Sequence, residues 1–165
     1  MFLGRVAQLR GVRRHKTLLV KPEIENAETL VSIFGRWPSF HDAEVWSLTQ
    51  ERTPKGFDVI ATIHVFEMTS EVDARGFFRL QKHTRVVFRF VDCRETRFQW
   101  FNHQNVLSEL QIEPADKSGV RTTRVVFGSS YGLEGELFCD RVLVVEAVPW
   151  VPPFGVYAAT AQAKL

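Results

Sequence analysis

From Gly56 to Met68 the chain reads GFDVIATIHVFEM, with Phe57, Val59, Ala61, Ile63 and Val65 at every second position and Asp58, Thr62 and His64 among the residues between them. Side chains of an extended strand alternate between two faces, so a spacing of two predicts a strand with one face over a core. A helix repeats every 3.6 residues and would scatter those apolar groups around its circumference. The stretch HTRVVFRFVDC, His83–Cys93, repeats the pattern with Val86, Phe88 and Phe90 inward and Arg85 and Arg89 outward. Further strand candidates are RFQWF (97–101), ELQIE (109–113), RTTRVVF (121–127) and GELFCDRVLVVEAV (135–148). Turn signals at Pro54–Gly56, Asp116–Gly119 and Gly128–Gly135 separate them.

One helix precedes these strands. In NAETLVSIFG, Asn26 is placed to cap, Glu28 suits the positive N-terminal end, Leu30, Ile33 and Phe34 share a face, and Gly35 offers the left-handed stop. A further helical turn is expected near 102–109. Strands that follow strands, after a single early helix, predict a mainly β (α+β) fold: an antiparallel sheet, open barrel or sandwich with one short N-terminal helix. The 14 Phe and 4 Trp agree, because large rings suit a pleated, half-buried surface.

At 165 residues the chain has room for one domain with a continuous core. The net charge of +2 is uneven. Residues 1–21 carry six basic groups (Arg5, Arg10, Arg13, Arg14, Lys16, Lys21) and no acid, leaving 15 basic against 19 acidic residues from Pro22 onward, a net −4. The expected organisation is therefore a basic extension at 1–21, a β-rich body at 22–148 and a proline-broken tail at 149–165. In that tail Trp150, Phe154 and Tyr157 are able to dock on the body or on a partner. The extension reads as a solvated arm or the product of an upstream start codon. As a nucleic-acid contact it defines a competing reading, an adaptor that binds phosphates through Lys and Arg. TLLV, Thr17–Val20, is too short for the apolar core of a signal peptide, and no window approaches the roughly 20 apolar residues of a membrane span. The expected location is the cytoplasm. Cys93 and Cys139, without CxxC spacing, are expected to pack as small apolar groups.

WPSFHDAEVW, Trp37–Trp46, concentrates the chemistry-bearing residues. His41, Asp42 and Glu44 are competent acid–base groups or ligands, which gives a second competing reading, a small hydrolase or metal-dependent enzyme. Yet His15, His64, His83 and His103 fall in no HxH or HExxH spacing, Ser39 sits in no GxSxG elbow, and GSSYGLEG lacks a phosphate loop's lysine. No catalytic or metal-binding residue and no cofactor is expected. The structural reading uses more of the letters: Pro38 fixes the backbone after the helix, and Trp37 and Phe40 pin the helix on the sheet. Asp42 then accepts backbone amides at a corner, and His41 becomes a partly buried ring.

FGRWPSFHDAEVWSLTQER, VVFRFVDCRETRFQWFNHQNVLSELQIE and VVFGSSYGLEGELFCDRVLVVE together resemble the immunity protein 50 family of bacterial polymorphic toxin systems, over about Leu30–Glu146. The resemblance implies a mostly β, non-enzymatic, cytoplasmic protein that binds and neutralises a cognate protein toxin. Trp37, Pro38, Phe40, His41 and Asp42 carry over as markers of the fold. Tight binding rests on a few aromatic anchors inside a charged rim, and Trp46, Trp100, Phe101 and His103 are the candidates. A body of −4 suits a basic, nuclease-like toxin. Neither a membrane nor nucleic acid is an expected partner.

Overall fold

The computed structural model describes residues 23–153. They form β1 (Ile24–Glu25), α1 (Ala27–Phe34), β2 (Glu44–Thr53), β3 (Gly56–Val72), β4 (Phe78–Cys93), β5 (Glu95–Gln99), β6 (Val106–Lys117), β7 (Val120–Tyr131), β8 (Glu134–Cys139) and β9 (Arg141–Pro149). The strands make one sheet in the order β1-β9-β4-β3-β2-β6-β7-β8-β5, open rather than closed into a barrel. All neighbours run antiparallel except β1, which lies parallel to β9 and makes the sheet mixed. The mainly β expectation with one short helix is borne out.

One linkage folds the sheet over. Arg94 alone separates β4, third in the order, from β5 at the far edge, so the two halves must meet where β4 ends. There the Arg94 amide donates to the Phe138 carbonyl at 3.0 Å, and the Asp140 amide donates to Val91 at 3.0 Å. The concave side holds the core: Val59, Ala61 and Ile63 of β3, Val86, Phe88 and Phe90 of β4, Val125 and Phe127 of β7, and Leu137 and Cys139 of β8 are fully buried. Phe90 meets Phe127 edge-on at 5.9 Å, joining the halves.

The inward set read from the alternation of β3 and β4 is therefore correct. Several local expectations differ. GELFCDRVLVVEAV is two strands, because Asp140 turns the chain from β8 into β9, with its carboxylate 3.0 Å from Arg94. No helical turn forms at 102–109; β6 begins at Val106, because Val106 and Leu107 are drawn into backbone pairing with Tyr131 and Ala43. Helix α1 ends as expected at Gly35, whose φ of 77° lets its amide return to the Val31 carbonyl. Its start does not use the expected cap: Asn26 is itself left-handed, and its side-chain amide donates to Val144 of β9 at 3.1 Å. Cys93 and Cys139 are buried as free thiols, and burial pushes Cys93 up to about 12. The basic extension at 1–21 and Phe154 and Tyr157 of the tail lie outside the described residues.

Candidate partner interface

The corner at 37–46 is a joint. Trp37, Phe40 and Phe88 form a triangle of rings with centroids 5.6, 6.3 and 5.7 Å apart, which seats the segment after α1 on β4. Phe40 and Asp42 both have positive φ, 58° and 63°, a backbone uncommon outside glycine that marks a tight reversal. Pro38 and Phe40 are buried, but His41 is exposed, against the expectation of a partly buried ring. The reversal turns it outward. Asp42 also differs: its carboxylate meets the His41 ring at 3.0 Å, while its own amide donates to Leu107 at 2.9 Å. Glu44, already in β2, pairs across to His64, away from that contact. Among the described residues no group of three or more His, Cys, Asp or Glu is placed to hold a metal ion.

Trp100, Phe101 and His103 do come together with a residue the sequence reading did not name. The loop from Trp100 to Asn105 joins β5 to β6, and Asn105 fixes it. The buried Asn105 side chain accepts from the amides of Asn102 and Leu133, at 2.9 and 3.1 Å, and donates to the carbonyls of Asn102 and Val45, at 2.8 and 3.3 Å. Gly132 completes the seat. Its φ is 76°, and a side chain there would run into the Gln104 carbonyl. On this pinned loop Trp100 is 64% exposed and Phe101 49%, and His103 lies edge-on to exposed Tyr131 at 6.4 Å. Trp46 is elsewhere, half-buried on the outer face of the sheet with its ring 5.1 Å from Trp150.

Charge gathers at the same end. Residues 39–50, 99–112 and 126–137, which include this end of the sheet, carry five acids (Asp42, Glu44, Glu109, Glu134, Glu136) and no Lys or Arg, and of the five Glu136 is paired with Arg124 at 2.8 Å. The other described residues carry 14 acids and 14 Lys or Arg, so the whole net charge of −5 belongs to these segments.

The outer face beside Trp46 holds a cluster that alternation alone placed in solvent. His64 is fully buried, stacked on His83 with ring nitrogens 3.0 Å apart and centroids 5.2 Å apart, and edged by Trp150 at 5.7 Å. Burial, with the neighbouring His83, pulls His64 down to about 4, and burial also lowers His83. Burial raises Glu44. The available signal was Trp150, whose ring, just beyond β9, covers this face.

These elements define a mostly β protein that presents exposed aromatic side chains on a pinned loop at its acidic end. Residues 26–150 match the family model for immunity protein 50, and the chain belongs to that family. No curated protein matches the chain, and no solved structure does.

Proposed function

We propose that this chain is a non-enzymatic immunity protein that acts in the bacterial cytoplasm, binding the toxin of a polymorphic toxin system and blocking it. Family membership supports the immunity role. The observation that carries the binding mode is the Trp100–Asn105 loop, where two large exposed rings stand on a hub of four hydrogen bonds at the end holding the net negative charge. Exposed aromatic anchors on an ordered backbone lose little freedom on binding, and an acidic rim draws in a basic partner. The matching toxin is basic, as a nuclease that attracts phosphates must be.

Co-expression tests this. The reading frame adjacent to this gene, induced alone, should arrest growth; with this protein it should not, and the two products should co-purify in fixed ratio. Trp100→Ala with Phe101→Ala should abolish rescue while leaving the thermal midpoint within a few degrees. Arrest without rescue or complex would sink the reading.

A further inference from the structure

The long β3–β4 hairpin runs past its neighbours. The last β2 partner on β3 is His64, the first β9 partner on β4 is Thr84, and the Trp150 amide donates to the His83 carbonyl at 2.9 Å, so from Glu67 to Lys82 the two strands pair only with each other among the described residues. A two-stranded ribbon is marginal by itself, yet this one is built with care at its tip. The Asp73 carboxylate accepts the amides of Arg75 and Phe77, at 2.8 and 3.0 Å, and the Asp73 amide donates to Phe77 at 2.8 Å. Met68 lies opposite Leu80 and Val72 opposite Phe78, which puts these four on one face. Met68, Val72, Phe77 and Phe78 are all about half exposed or more, Phe77 reaching 65%. The ribbon's charges cancel within it: Lys82 meets Glu67 at 2.9 Å, Arg75 meets Asp73 at 3.2 Å and Arg79 meets Glu71 at 3.7 Å.

The ribbon leaves the sheet at the same end as the aromatic loop. One row of paired residues crosses that end from Val148 through Arg85, His64, Glu44 and Val106 to Tyr131. Six strands at roughly 4.8 Å spacing make the row about 24 Å wide, the breadth of a standard protein interface. Apolar ribbon and aromatic loop are thus the two flanks of one surface. A second copy of this chain is a poor occupant, because joining two ribbons would bring two like-charged ends together. The fitting occupant is a different protein with a basic face beside an apolar one.

Resting on the toxin-binding reading above, we infer that the β3–β4 ribbon is the second half of the toxin interface, gripping an apolar face of a basic toxin whose cationic face meets the carboxylates around Trp100. The two halves act on different rate constants. Charges set the encounter and its salt dependence, and buried apolar contacts set the lifetime.

The probe is the toxin that co-purifies in the rescue experiment, with binding kinetics measured on the full chain at several salt concentrations. Phe77→Ser with Phe78→Ser should speed dissociation at least tenfold and leave the salt slope of association as in the wild type. Met68→Thr with Val72→Thr, a milder pair, should act in the same direction, so that a misfolded first variant does not decide the outcome. Glu109→Gln with Glu134→Gln should instead slow association and flatten its salt slope. Ribbon variants that fold and bind like wild type would overturn the inference, and so would a self-associated wild type that the ribbon variants convert to monomer. Wild type that binds no toxin would remove the functional reading itself, a result visible before any variant is made.

Discussion

At the scale of single residues, His64 ties the fold to pH. Its pKa of about 4 in the folded chain lies below the ordinary 6.5, so the folded state binds fewer protons than the unfolded one. Stability from the neutral ring is complete above about pH 6.5 and is lost as pH falls toward 4. His83 shifts in the same direction, whereas Glu44, raised by burial, stabilises in the opposite sense, most fully below its unfolded value. Urea unfolding at pH 7 and pH 5 should therefore differ by about 2 kcal/mol for wild type, from a single histidine shifted this far. His64→Gln should flatten that difference; an unchanged pH dependence would mean the ring does not govern it. Phe40 tests the corner joint. Fully buried against Trp37 and Phe88, it should cost about 3–5 kcal/mol on change to Ala, seen as a fall of roughly 10 °C in thermal midpoint.

At the scale of elements, Asn105 is the hub of the β5–β6 loop, and one side chain there replaces a turn's worth of backbone pairing. Asn105→Ala leaves two amides and two carbonyls without their partner, the Leu133 amide and the Val45 carbonyl among them buried, at about 2–3 kcal/mol. Amide exchange should quicken at Asn102 and Leu133 in particular, and toxin affinity should fall although no toxin contact has been removed; unchanged exchange at both amides would count against the hub. The sequence showed less of this loop than of the strands. β3 and β4 were legible because Val59, Ala61, Ile63 and Val86, Phe88, Phe90 obey a local rule, the period of the pleat. Asn105 obeys no local rule: its partners Val45 and Leu133 lie 60 and 28 residues away. Trp100 and Phe101 were picked out by residue type alone, and Tyr131, which pairs with Val106, could not be joined to them without the register. The burial of Asp58 and His64 was hidden for the same reason. Each faces away from the core yet is covered from afar, Asp58 by Arg89 at 2.6 Å and His64 by Trp150.

For the whole molecule, charge separates one end from the rest. Since the described residues outside the three acidic segments balance to zero, the net −5 of residues 23–153 comes from those segments, while the six basic residues at 1–21 lie outside the described residues. Association with a basic toxin should slow by roughly tenfold or more as salt rises from 50 to 500 mM, the screening length then shrinking to a few ångströms. A rate indifferent to salt would contradict a basic partner. The place of β9 has a further consequence, one of timing. Among the described residues it is the last strand, yet it lies between β1, the first, and β4, from the middle. A growing polypeptide can assemble the β2–β3–β4 and β6–β7–β8 meanders as they emerge from the ribosome, but β1 has no partner and β4 has a bare edge until residues 141–149 have been made. A chain whose synthesis stops before residue 141 has no finished sheet, so if this protein neutralises a toxin, only copies completed to β9 can do so.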